Sequence, residues 1–424
     1  MLRLILSPSV GGTAGYLYDA VAALASSGGE AVLIVPEQYS FAAERIVLER
    51  LGTADAQRVE VLSFTRLANT VFNSVGWDKG KRLNEAGKIL LMSRALEQCA
   101  DKLTVYARSA DSPAVVRELL VLSEEFCQCA ISSEDIVSAM NNMEEGLLKD
   151  KLGDISLVFS VYDSFVSDGW LDDSRMLTRL KDKLAESGYF KNKTVFFDSF
   201  RGFTAQEFGI IGKILTQADD VCVALNAPDL TDVGSDDIFY HTKNTAKKLI
   251  KIANSVDVPC AKPVTVNEPN SDAALDALAK DFLSPEADVF EGECRSIAVV
   301  AAPDIRSECA FIAAQIKKML RTGEYRSRDI AVIVRDDKSY IRPMMTALAK
   351  CGVPVFEDRR QPVINQPLMT LVRAALKIAD TGFDTDSVLR ALKTGLCPLE
   401  ADEVSDIENY TYLWQINGSG WLKK

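Results

Sequence analysis

Short, β-rich apolar runs recur along this chain at long intervals, and amphipathic helical stretches fill many of the gaps. The runs are residues 2–6, 31–35, 59–62, 194–197, 221–225, 297–301, 330–334 and 353–356. Alternation of this kind is the pattern of a mostly parallel sheet covered by helices, an α/β fold. Two stretches break the rhythm. From Asn84 to about Glu186 there is no convincing strand, only helical patterns at 86–96, 115–126, 155–166 and 176–184. This predicts a helical domain inserted into a first α/β domain that spans 1–83 and 187–255. A second helical stretch starts near Leu368. Residues 256–295 are rich in Pro, Asp, Glu and Asn and read as a linker. Ile297 then opens a second α/β domain. No internal repeat of 20–50 residues is found.

At 424 residues the chain is too long for one compact core, so two or three domains are expected. No apolar run approaches the ~18–20 residues that span a membrane. The N-terminal strand is too short, and wrongly flanked, for a signal peptide. The nine cysteines form no CxxC pair, which points to reduced thiols and a cytoplasmic protein. The single histidine, His241, excludes a multi-histidine metal site, and its loop-like setting argues against a catalytic triad. The formal charge of −12 argues against a freestanding, nonspecific DNA binder. A local basic groove, or a partner that supplies the charge, stays compatible with it.

The first run leads into Ser7-Pro8-Ser9-Val10-Gly11-Gly12-Thr13-Ala14, a small-residue stretch expected to be a turn. Leu17, Ala20, Val21 and Leu24 then repeat at helical spacing. Strand, tight loop and helix form the context of a phosphate-binding P-loop. Threading GxxxxGK[ST] onto the stretch puts Thr13 at the Lys position and Ala14 at the Mg²⁺-binding hydroxyl. The shell of the loop is present without its charge or its metal ligand. An ordinary first strand and helix is the plain alternative. Further strand ends carry polar residues, where ligands bind in open α/β sheets. Pro36-Glu37-Gln38 follows the second run, unless Glu37 and Gln38 merely cap the next helix. Ser63-Phe64-Thr65-Arg66 follows the third. Asp198 ends the fourth, as a Walker B Asp does, and its strand is expected beside the first. Its neighbour Ser199 cannot act as the base for an attacking water.

In the second α/β stretch "DIAVIVRD" is followed by Tyr340 and "GVPVF". This resembles the fourth motif of UvrD-like superfamily-1 helicases. The ordered set "VPEQYSFAAE", "VLSFTRLA", "KLGDISLVFSVYDSF", "FFDSFRGFTAQE", "DIAVIVRD", "GVPVFEDRRQPVINQPL" and "ENYTYLWQINGSGW", with the P-loop position, resembles the N-terminal part of the AddB family. AddB proteins are B subunits of bacterial ATP-dependent helicase–nucleases for double-strand break repair.

The resemblance implies two RecA-like, P-loop NTPase-type parallel-sheet domains with helical insertions. The second would begin at 296–367, and 368–424 would open its own insertion. It implies a heterodimer with an AddA-like helicase/nuclease subunit, DNA as ligand, and ATP with Mg²⁺ as possible cofactors. The family's iron–sulfur cluster is expected only in a C-terminal nuclease that this segment does not hold. The degenerate nucleotide site would comprise Ser7, Gly11, Gly12, Thr13, Ala14, Gln38, Asp198 and Arg335. DNA contacts are expected from strand-end loops, at Phe64, Thr65, Arg66, Arg359 and Arg360, because single strands are held by aromatic stacking plus cations.

The chain departs from the family's Gly-Ser-Gly-Lys-Thr/Ser loop, from its common Asp-Gly-Phe (here Asp198-Ser199-Phe200) and from its His-Pro-Leu (here Gln366-Pro367-Leu368). The expected role is a DNA-engaging scaffold, inactive by itself. Two alternatives stay open. One is a working ATPase or small-molecule kinase in which Lys81, Arg201 or Arg335 replaces the missing Lys. The other is a protein-only interaction module.

Overall fold

The computed structural model describes residues 1–77, 80–266, 272–282, 287–357 and 363–423. It divides into a first unit, Met1–Cys294, and a second, Arg295–Lys424.

In the first unit the chain runs β1 (Leu2–Ser7), α1 (Val10–Ser26), β2 (Glu30–Ile34), α2 (Ser40–Ala56), β3 (Val59–Leu62), α3 (Phe64–Val75) and β4 (Lys81–Arg82). It continues through α4 (Glu85–Cys99), α5 (Pro113–Gln128), α6 (Ser133–Asn141), α7 (Leu147–Ser167), β5 (Trp170–Leu171) and α8 (Met176–Ser187). Then come β6 (Lys193–Phe197), α9 (Ala205–Gln217), β7 (Asp220–Asn226), α10 (Tyr240–Ser255), β8 (Val264–Thr265) and α11 (Ala273–Asp281).

Six strands form one parallel sheet in the order β3-β2-β6-β7-β1-β8. Successive residues alternate between its faces, as the strand period demands. Val32 and Ile34 join Val195, Phe197, Val221, Val223 and helices α3, α8, α9 and α10 on one side. Ala31, Leu33, Phe196, Cys222 and Ala224 meet α1 and α2 on the other. Both faces are covered, which is why these strands read as continuous apolar runs.

Part of the expected linker is tied to this sheet. Leu2 N donates to Pro259 O, Ala261 N to Leu2 O and Val266 N to Leu6 O, so β8 extends the free edge of β1. A bare edge offers unpaired backbone groups to the next extended segment.

A third core lies within the helical stretch and gathers Met92, Leu96, Leu119, Val158, Phe159 and Tyr162 from α4, α5 and α7. The motif residue Asp154, buried on α7, accepts from the backbone N–H groups of Thr104, Val105 and Tyr106, and so pins the turn after α4. Helix α8 lies inside the expected insertion, yet its Leu180 and Leu184 belong to the sheet's core. One short strand, β5, also falls inside it; β5 pairs in parallel with β4 where the chain leaves for the helical body and returns.

The second unit comprises α12 (Ile305–Thr322), α13 (Asp337–Cys351), α14 (Pro367–Thr381), α15 (Thr385–Leu392) and α16 (Ala401–Leu413). Its small core is Cys309, Ala313, Ile316, Met344, Leu348 and Val353. Here the sequence expectation is corrected. Runs 297–301, 330–334 and 353–356 form no strand among the described residues. Ile330 has strand-like dihedrals (φ −118°, ψ 128°), but no ladder partner accompanies the run. Residues of runs 330–334 and 353–356 line an apolar groove of about 830 Å³ against Ile316, Met344 and Leu348.

Candidate functional site

The stretch expected to be a phosphate-binding turn is mostly helix. Only Pro8 and Ser9 separate β1 from α1, and Gly11, Gly12, Thr13 and Ala14 all lie in the first turns of α1. Ser9 is the reason. It is an N-cap in extended conformation, and its side chain accepts from Gly12 N at 3.2 Å. Ser9 N in turn donates to Ser7 Oγ at 3.2 Å, and Ser7 is fully buried. A Cβ on Gly12 would stand 2.6 Å from Ser7 Oγ, so glycine is what lets the helix start so close to the strand.

Backbone N–H groups that would receive phosphate oxygens in a P-loop are thus capped by two serines. Thr13 is buried, and Ala14 packs against the α1–α2 core. These residues do not fit a nucleoside triphosphate with its Mg²⁺.

Asp198 follows β6, with its N–H bonded to Ile34 O at 3.1 Å. Strand β7 lies between β6 and β1, so the expected adjacency of the two strands does not hold. The Asp198 carboxyl is 2% exposed. Burial pushes its pKa up from the usual carboxylate range; the Ser199 and Tyr18 hydroxyls oppose that without overcoming it. Ser199 Oγ donates to Asp198 Oδ2 at 3.3 Å. Tyr18, from α1, and Tyr39 have phenols held above their ordinary pKa, by burial first and by the Asp198 charge second. The Tyr18 hydroxyl is buried beside these groups, yet nothing reaches it at hydrogen-bonding geometry. A Walker-type Asp would face a metal ion; this one faces phenols and a serine. Ser199 also holds a left-handed backbone (φ 64°), a conformation that favours glycine.

The other expected site residues are scattered. Gln38 is exposed in the short 3₁₀ turn Glu37–Tyr39, and Arg335 is exposed in the second unit. Of the replacement cations, Lys81 is exposed in β4 and Arg201 is exposed after β6. Phe64 is corrected as a DNA-stacking residue. It is 6% exposed, with its ring 5.8 Å from that of Phe200 and 6.3 Å from that of Phe197. A Ser N-cap turns the chain into α3 so that the ring points into the sheet's core. Thr65 and Arg66 are exposed, and Arg66 pairs with Glu44. Arg359 and Arg360 lie outside the described residues.

Two tyrosines that close the site, Tyr18 and Tyr39, escaped the sequence reading. Tyr18 sits at helical spacing between Leu17 and Val21, and nothing in that spacing distinguishes a core tyrosine from one aimed at a strand end. Among the described residues, no three His, Cys, Asp or Glu side chains gather where they could hold a metal ion. No helix among them is long and apolar enough to cross a membrane.

Residues 4–279 match the family model "ADDB, N-terminal". The chain belongs to the AddB family. It is similar to the B subunit of the ATP-dependent helicase/deoxyribonuclease of Caldanaerobacter subterraneus subsp. tengcongensis, with 29% identity over 93% of this chain and 34% of that protein. The proteins of the same name from Clostridium novyi and Clostridium tetani are each 30% identical. They align with 91% and 94% of this chain, and with 35% and 36% of their own length. The chain thus spans about a third of the curated AddB relatives it matches.

Proposed function

We propose that this chain is the helicase-like N-terminal region of the B subunit of an ATP-dependent helicase–nuclease that processes double-stranded DNA ends for recombinational repair. In that complex it acts as a DNA-engaging scaffold, and its strand-end site takes no nucleotide. Family membership supports the first statement. The β1–α1 junction carries the second: a two-residue connection whose amides are occupied by Ser7 and Ser9 leaves no cradle for phosphates. The closed setting of Asp198 supports it further, since no lysine or arginine is among the groups that set its proton affinity.

On this reading the two units are two RecA-like domains, the first with a helical insertion and the second with the beginning of another at 368–424. ATP turnover belongs to an AddA-like partner, and the work is cytoplasmic. Thr65, Arg66, Arg359 and Arg360 are DNA-contact residues.

Calorimetric titration of the chain with Mg-ATP is the test. The expected result is no heat of binding at concentrations up to about 1 mM. A dissociation constant near or below ~1 μM would overturn the closed-site reading.

A further inference from the structure

The loop after β6 and the first turns of α10 enclose a cleft of about 740 Å³ that the degenerate nucleotide site does not use. Its walls are Arg201, Gly202 and Phe203 from the loop, Phe208 from α9, and Tyr240, His241, Asn244, Thr245, Lys247 and Lys248 from α10. No carboxylate lines it. That is unusual in a chain with 60 acidic residues against 48 basic ones, and it makes the cleft locally cationic.

The cations divide by what they already do. Lys247 is paired with Asp232. Arg201 and Lys248 make no ion pair with a described residue; Lys248 lies over the Phe208 ring, 5.6 Å from its centroid. Lys243, one turn from the cleft, shows the contrast: it is buried, and it binds Asp229 at 2.8 Å and Thr231 Oγ1 at 3.2 Å. It is a structural lysine, whereas Arg201 and Lys248 present unneutralised charge.

The aromatic component is ordered. Phe64, Phe197, Phe200, Phe203 and Phe208 form a chain of ring contacts that starts in the sheet's core and surfaces at the cleft. Phe200 and Phe203 stand 4.8 Å apart, and Phe203 and Phe208 5.5 Å apart. Across the cleft, Tyr240 and His241 are in edge contact at 5.4 Å. The frame is fixed as well. Thr245 Oγ1 donates to His241 O at 2.9 Å, and Arg201 O lies 3.3 Å from the same oxygen. A Cβ on Gly202 would come within 3.2 Å of Thr245 Oγ1, so the loop lies tight on α10.

Uncommitted cations beside surfaced aromatic rings, at the carboxyl end of a parallel strand, match what a single nucleic-acid strand requires. We propose that this cleft holds a segment of single-stranded DNA, with a base against the Tyr240 and Phe208 rings and adjoining phosphates on Arg201 and Lys248. The proposal rests on the DNA-engaging reading above and moves the main contact away from the loop of Thr65 and Arg66.

The experiment is a fluorescence-anisotropy titration of the whole chain with a labelled oligothymidine of about 15 nucleotides, across a salt series. Arg201→Ala combined with Lys248→Ala should weaken binding about tenfold or more. It should also flatten the slope of log K against log salt by about 1.4, or ~0.7 for each phosphate released. Tyr240→Ala should weaken binding about tenfold with the slope unchanged, because stacking carries no counterion. A control pair on the helical body, Lys102→Ala with Arg117→Ala, should leave affinity near the parent's.

Parent-like binding by all cleft variants would overturn the proposal and leave the DNA-engaging reading standing. No binding by the parent at low salt would overturn both. Competition by inorganic pyrophosphate as effective as that of the oligonucleotide would reduce the cleft to a simple anion site and overturn the proposal. If Tyr240→Ala does not fold, photocrosslinking of the parent to an iodouracil-substituted strand decides. An adduct on the peptide of Tyr240 and His241 supports the cleft, and an adduct confined elsewhere overturns it.

Discussion

The apolar runs of the first unit and those of the second read alike in sequence and end in opposite states. In the first, Val32, Leu33 and Ile34 are fully buried between two helical layers, and each strand has a hydrogen-bonded neighbour. In the second, Val299, Ile333 and Phe356 are 96%, 94% and 88% exposed. Composition does not separate the two groups; partners do. An extended apolar segment becomes a strand only when a ladder satisfies its backbone and a layer covers its side chains. A run such as 330–334 has one helical layer and no ladder, so its β-branched residues face water.

The largest difference should appear in native-state amide exchange. Amides of β2 and β6 should exchange only by near-global opening, with protection worth about 5 kcal/mol or more. Amides at 297–301, 330–334 and 353–356 should be almost unprotected. Comparable protection in both sets would break the comparison.

Matched truncations come next. Phe197→Ala should destabilise the first unit by about 3–5 kcal/mol, because the ring is wholly buried among other aromatics. Ile333→Ala should shift stability by no more than about 0.5 kcal/mol. Urea unfolding followed by circular dichroism measures both, and similar losses would mean that run 330–334 is covered in solution.

The pH dependence separates groups within the first unit. The folded pKa of Asp198 is raised by burial, so its contribution to stability is full below the ordinary carboxylate pKa of about 3.9 and is lost as pH rises through the raised value. Parent stability should therefore carry a downward component on going from acid toward neutral pH. Asp198→Asn should remove that component. Melting curves at several pH values that stay parallel for the two proteins would show that Asp198 ionises freely.

The smallest effect concerns its neighbour. Ser199→Gly relieves a left-handed backbone worth roughly 1 kcal/mol but gives up the hydrogen bond to Asp198, so a gain of at most about 1 kcal/mol is expected. A loss above that size would mean that the hydroxyl matters more than the strain.

Five of the eight strands expected from apolar runs stand where the sequence places them, because two-sided burial writes itself into consecutive residues. Runs 297–301, 330–334 and 353–356 carry the same local signal, and their lack of partners is non-local information that no window of residues contains. The small strand β8 was missed for the converse reason: Val264 and Thr265 are strand only because β1 has a bare edge.

At the site, Gly11 and Gly12 suggested a loop, yet the deciding residue was Ser9, an N-cap placed one turn before the helical periodicity becomes visible. Asp198 was legible as a strand-end carboxylate. Its surroundings were not, since Tyr18 and Tyr39 reach it from elements far apart in sequence. Phe64 was read as a surface aromatic because it follows a strand end, but the cap at Ser63 turns it inward.

The pairing of Lys81–Arg82 with Trp170–Leu171 has a bearing on how this protein tolerates change. Parallel neighbours lie about 4.8 Å apart, so the chain comes back to nearly the point from which it departed. To the sheet, the whole helical body is equivalent to a short link. Its length and contents can drift, or be exchanged, with little strain transmitted to the host, and the entropy of closing so long an excursion grows only with the logarithm of its length. A stitched neck of this kind makes the body a graftable module. Replacing it with a brief glycine-rich bridge is a natural way to obtain the sheet domain by itself.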